Sequence, residues 1–65
     1  METLEYRGVI DQQGNIAICS GWDTDGNLVR FAADWRMAEA IPAGALCDVE
    51  AWAILNRAPA FEVVV

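Results

Sequence analysis

Asp48 and Glu50 carry carboxylates two positions apart, Trp52 follows at the same interval, and Glu62 lies further along. On an extended strand this spacing puts alternate side chains on one face, about 6.6 Å apart. Paired carboxylates can run general acid–base or glycosidase chemistry. The rest of the sequence withholds what such chemistry needs. Ten carboxylates stand against four arginines, with no lysine and no histidine. No side chain therefore has an unperturbed pKa near neutrality, and the commonest general base and triad partner is missing. Thr3, Tyr6, Cys19, Ser20, Thr24 and Cys47 could act as nucleophiles only with a base that the chain lacks. A domain of 65 residues offers no deep cleft for a sugar. The glycines at 8, 14, 21, 26 and 44 form no phosphate-cradling motif. The expectation is a protein that is not an enzyme.

Metal and cofactor chemistry are not expected either. Two cysteines without histidine cannot close a four-ligand zinc site. Asp23-Thr24-Asp25-Gly26-Asn27 places oxygens at alternating positions, as a calcium loop does. Its glycine is fourth, however, where that loop needs it sixth, and a hairpin turn accounts for the same residues.

The formal net charge of −6 steers encounters toward cationic partners. It opposes direct binding to nucleic acid, where phosphate neutralisation carries much of the affinity, and to anionic membranes. The candidate binding residues are therefore Asp48, Glu50, Trp52 and Glu62, with Glu5 beside them. Carboxylates in a row on a stiff sheet imitate a run of phosphates and suit a basic protein surface, such as that of a nucleic-acid-binding complex. Trp52 would anchor an arginine of that partner.

Met1-Glu2-Thr3-Leu4-Glu5 has no basic stretch followed by an apolar one, so it does not read as a secretory signal. No apolar run approaches the roughly 20 residues that span a bilayer. A cytoplasmic location is expected, with Cys19 and Cys47 reduced and buried. Spacing alone leaves open whether they pair.

The elements that must position these residues follow from alternation and turn chemistry. Leu4–Ile10 reads as a strand. Asp11-Gln12-Gln13-Gly14-Asn15-Ile16 and Asp23-Thr24-Asp25-Gly26-Asn27-Leu28 share the pattern Asp-x-x-Gly-Asn-aliphatic, predicting two hairpin loops. Strands then cover Asn15–Ser20 and Asn27–Ala32. Asp34 can cap a short helix reaching Ile41, with Met37, Ala38 and Ile41 on its inner stripe and Pro42 and Gly44 as stops. Trp22 and Trp35 are expected in the core or at its rim. Leu46–Leu55 alternates without interruption and predicts the longest strand, with Asp48, Glu50 and Trp52 outward. Asn56–Pro59 predicts a turn, and Phe61–Val65 a fifth strand. The expected fold is a single small α+β domain of order β-β-β-α-β-β. A chain this short buries roughly 60% of its unfolded surface, so a homodimer is as reasonable as a monomer.

Gly26-Asn27-Leu28-Val29, the helix from Asp34 to Ile41, Pro42-Ala43-Gly44 and Leu46–Glu50 follow one another in an order that resembles the swapped-hairpin domain of AbrB- and MazE-type regulators and antitoxins. That resemblance implies an intertwined dimer. The proline that opens the helix in that family is absent here, and so is the basic character of its DNA-contacting members. In size and charge the chain is also similar to acidic inhibitors of mobile genetic elements, anti-CRISPR and other DNA-mimic proteins, which implies an inhibitor that occupies a nucleic-acid site. A structural accessory subunit is the third expectation.

Overall fold

A computed structural model describes residues 1–59. The strand expected at Phe61–Val65, and Glu62 within it, lie outside the described residues. Among the described residues, five strands and one helix succeed each other as β1 (Glu2–Gln13), β2 (Ile16–Trp22), β3 (Asn27–Asp34), α1 (Trp35–Ala40), β4 (Leu46–Val49) and β5 (Ile54–Pro59). A 3₁₀ turn, Ala51–Ala53, separates the last two strands.

All pairings are antiparallel, and the sheet order is β4-β1-β2-β3-β5. One face of this five-stranded antiparallel sheet carries the core, with the short helix packed against it. Its inner face supplies Leu4 and Tyr6 from β1, Ala17 and Cys19 from β2, Val29 and Phe31 from β3, and Val49 from β4. Helix α1 adds Ala38. Trp22 and Trp35 are half-buried, as expected of rim residues.

The two Asp-x-x-Gly-Asn segments fold differently. In the second, Asp23 Oδ1 accepts from the backbone N–H groups of Asp25 (2.9 Å) and Asn27 (2.8 Å), and Oδ2 accepts from the Asn27 side-chain amide (3.0 Å). Gly26 takes the positive φ of 83° that closes this turn. In the first, Asp11 is still part of β1 and accepts only from the adjacent Gln12 N–H, so the bend falls later, at Gly14. Sequence likeness there reflects shared turn residues, with only one turn built around its aspartate.

Strand β1 serves two partners. Its first residues pair with β4 (Glu2↔Val49, Leu4↔Cys47), and from Glu5 onward it pairs with β2. Register shifts between Tyr6 and Gly8 and between Val9 and Asp11 leave Arg7 and Ile10 without opposite numbers on β2. Such bulges bend a strand and increase its twist, which lets one strand bound both walls of a curved sheet.

Helix α1 forms where expected. Asp34 caps it, its carboxylate accepting from the Arg36 N–H at 2.9 Å. The Trp35 N–H donates to the Asn15 carbonyl at 2.9 Å, tying the helix start to the β1–β2 turn. Its inner stripe is narrower than predicted. Ala38 is buried and Ile41 half-buried, but Met37 is 67% exposed.

The largest departure from expectation lies between Leu46 and Pro59. A continuous strand to Leu55 is not formed, because β4 ends at Val49 and the Ala53 N–H closes back on the Glu50 carbonyl at 3.0 Å. The chain must leave the β1 side of the sheet and join β3 on the opposite side, and an unbroken strand cannot reach both. Asn56–Pro59, expected as a turn, is therefore part of β5 and pairs with Asn27–Arg30. The strands flanking the helix, β3 and β4, do not pair within the chain, unlike a hairpin.

Candidate functional site

The break after Val49 creates a groove. It lies between α1, β3, the end of β4 and the 3₁₀ turn, with a volume of about 200 Å³. Phe31, Ala33 and Val49 form its floor, Met37 and Ile41 line the helix side, and Trp52 stands on the opposite side. Trp52 is 85% exposed, which is costly for so large an apolar ring unless something covers it. Three carboxylates, Asp34, Asp48 and Glu50, edge the same groove. An apolar floor with an acidic rim fits one large apolar side chain flanked by cationic groups.

Each carboxylate is held differently. Asp34 caps α1. Asp48 lies opposite Thr3 and accepts from the Thr3 hydroxyl at 2.9 Å. Glu50 sits at the start of the 3₁₀ turn, and its side chain makes no cap hydrogen bond. Its carboxylate stays exposed.

The predicted site residues thus divide. Asp48, Glu50 and Trp52 do come together, around a groove and not along one strand face, because the strand that was to carry them stops at Val49. Glu5 pairs with Leu46 on the outward side of β1 and β4, alongside Asp48 but away from the groove. Glu62 lies outside the described residues. Phe31, Met37 and Ile41 were not predicted as site residues. The signal for Met37 was its place at the edge of a short amphipathic helix, where a residue can face either core or solvent.

Not all of the negative charge is available to a partner. Asp23 is buried, and Arg57 reaches it at 3.6 Å while also pairing with Glu2. That guanidinium joins β5, the β2–β3 turn and the start of β1. Burial by itself would raise the Asp23 carboxyl, but hydrogen bonds from Asn27 and Asp25 and the Arg57 charge together hold it below the usual range. The other exposed carboxylates among the described residues, Glu5, Asp11, Asp25, Asp34, Glu39, Asp48 and Glu50, are spread over several elements. Around the groove they accompany Trp52, while Glu5 stands opposite the exposed Leu46 and Asp11 follows the exposed Ile10.

Among the described residues, Cys47 is the cysteine that lines the groove. Both cysteines are free. Burial pushes the Cys47 thiol up, and the neighbouring Cys19 and Asp48 add to this. Cys19 is raised by burial as well, against the Tyr6 hydrogen bond. Among the described residues no three His, Cys, Asp or Glu side chains cluster as metal ligands, and no helix is long and apolar enough to cross a membrane.

Comparison with protein-family models, with curated proteins and with solved structures finds no match to this chain.

Proposed function

We propose that this chain is a non-catalytic binding protein that docks a basic surface of a partner protein through the groove beside Trp52. The groove takes an apolar side chain of the partner. Asp34, Asp48 and Glu50 engage the Lys or Arg residues around it. The observation that carries this reading is the convergence of an 85% exposed tryptophan and three carboxylates on one apolar depression. Aromatic residues at such positions commonly dominate binding energy, and surplus negative charge raises the encounter rate with a cationic partner.

Basic surfaces with apolar side chains among them occur where proteins grip nucleic acid. Occupying such a surface would block it, so the concrete form of the proposal is an inhibitor of a nucleic-acid-binding complex, of the kind used against defence systems. The mimicry would be local, since the carboxylates do not form a phosphate-like row along one strand.

The test is affinity capture from the native host with three baits: the natural chain, Trp52→Ala, and Asp48→Lys combined with Glu50→Lys. The expected result is a partner retained by the natural chain at low salt, diminished at high salt, and lost with both variants. Equal retention by all three baits would sink the groove as the docking site. A dimer in sedimentation that Trp52→Ala dissociates would assign the groove to a second copy of the chain instead.

A further inference from the structure

Three of the four arginines make no ion pair among the described residues. Among the described residues, Arg7 and Arg30 make no ion pair and no side-chain hydrogen bond, in a chain with ten carboxylates. Arg36 is likewise unpaired but stands apart, near Asn15 and Trp35. Arg7 and Arg30 instead meet on the outer face of the sheet. They line a depression of about 320 Å³ together with Gly8, Ser20, Leu28 and Val9. Gly8, Ser20 and Arg30 are opposite one another across β1, β2 and β3, so they form a single row.

Three features make this a built arrangement. The Arg7 guanidinium lies over the Trp22 ring, 5.1 Å from its centroid, which fixes its position without neutralising it. Ser20 is largely buried yet lines this depression, since its neighbours Cys19 and Gly21 face the core. Gly8, at a φ of 137°, has nothing within 4 Å of where a Cβ would be, so the bulge leaves open space directly over the row. Two cations, one of them held over an indole ring, a serine hydroxyl and a glycine opening suit a tetrahedral or planar oxyanion. Leu28 offers an apolar wall beside it.

We propose that the outer face of β1, β2 and β3 carries an oxyanion subsite, formed by Arg7, Arg30 and Ser20, for a small ligand bearing a phosphate or carboxylate next to an apolar group. A small ligand is favoured over a polyanion because the net charge of −6 repels extended phosphate chains. This surface is separate from the groove at Trp52, so the proposal stands independently of the docking function.

The experiment is an amide and arginine side-chain NMR titration at constant ionic strength, with inorganic phosphate, phenyl phosphate, benzoate and a short oligothymidylate as probes. Saturable shifts at Gly8, Ser20 and both arginine side chains are expected, with phenyl phosphate binding more tightly than inorganic phosphate and the Trp52 indole unmoved. Comparing phenyl phosphate with benzoate tells which oxyanion is preferred. Arg30→Gln should weaken phenyl phosphate roughly tenfold, and Arg30→Lys should fall between it and the natural chain. Arg30→Gln decides the matter even if Arg7→Gln disturbs the fold through Trp22. Unsaturable shifts spread over the surface, unchanged affinity in Arg30→Gln, or oligothymidylate binding tightest of all would overturn the proposal.

Discussion

The Tyr6 hydroxyl donates to the Ala38 carbonyl at 3.0 Å, joining the middle of β1 to the one buried residue of α1. The helix is only six residues long, and alone in water it would not persist. Its place against the sheet, and with it the Met37 side of the groove, depends on this bond and on the packing of Ala38. Replacing Tyr6 by Phe keeps the ring against Phe31, whose centroid is 6.3 Å away, and removes only the hydroxyl. We expect a loss of about 1 kcal/mol in urea unfolding, with faster amide exchange confined to α1.

Alkaline pH should act through the same residue. Burial, strengthened by the neighbouring Cys19 thiol, pushes the Tyr6 phenol up to about 12. The folded value lies above the unfolded one of about 10, so the neutral phenol's contribution is complete below pH 10. It is lost as pH rises toward 12. Cys19 and Cys47, also raised, add a loss of the same sign beginning at lower pH. Stability measured from pH 9 to 12 should therefore fall less steeply in Tyr6→Phe than in the natural chain. Parallel curves would remove Tyr6 as a cause.

Asp23 governs the acid side. Its carboxyl is held below the ordinary range, so its contribution is present above the unfolded value of about 3.9 and disappears as pH drops through the folded one. Asp23→Asn should cost about 1–3 kcal/mol at pH 7, because it weakens a buried hub of three hydrogen bonds. It should also flatten the acid limb of the stability profile. A variant with an unchanged acid limb would show that other carboxylates control acid unfolding.

Gly21 is the position where β2 passes closest to β1. A Cβ there would stand 2.9 Å from the Glu5 carbonyl oxygen and 3.3 Å from the Leu4 Cβ. Since the first obstacle is backbone within a sheet, it cannot rotate away. Gly21→Ala should destabilise by about 1–3 kcal/mol, read as a lower urea midpoint. A stability equal to that of the natural chain would mean that the two strands can separate at this point.

Trp52 should show the opposite behaviour. With most of its ring in solvent, Trp52→Ala should change folding stability by less than about 0.5 kcal/mol. Capture of a partner should nevertheless be lost. A large fall in stability would reveal that the ring supports the fold, and would weaken its claim to be kept for recognition.

The sequence made the first half of this fold readable. Alternation in β1 to β3, the Asp23 turn and the Asp34 cap are local properties, each set by residues within a few positions of one another. The break between β4 and β5 was not readable. Cys47, Val49, Ala51, Ala53 and Leu55 keep a period of two straight through it, and the interruption is imposed by where β1 and β3 lie. The same cause explains the outcome for the candidate site. Asp48, Glu50 and Trp52 were identifiable from type and spacing, but the cavity that unites them depends on Phe31 and Met37, which are distant in sequence. The Arg7 and Arg30 pairing is also non-local, since it follows from the register between β1, β2 and β3.

The double service of β1 has a kinetic consequence. Neighbouring strands β1, β2 and β3 can zip together through short turns, whereas the contact of Cys47 with Leu4 spans 43 positions. Closing so long a loop carries an entropic charge that is repaid only once β4 docks. Folding should accordingly be limited by that late seam, with a three-stranded meander forming beforehand. Substitutions at Thr3 or Asp48 should then slow the refolding rate more than those at the Asp23 turn.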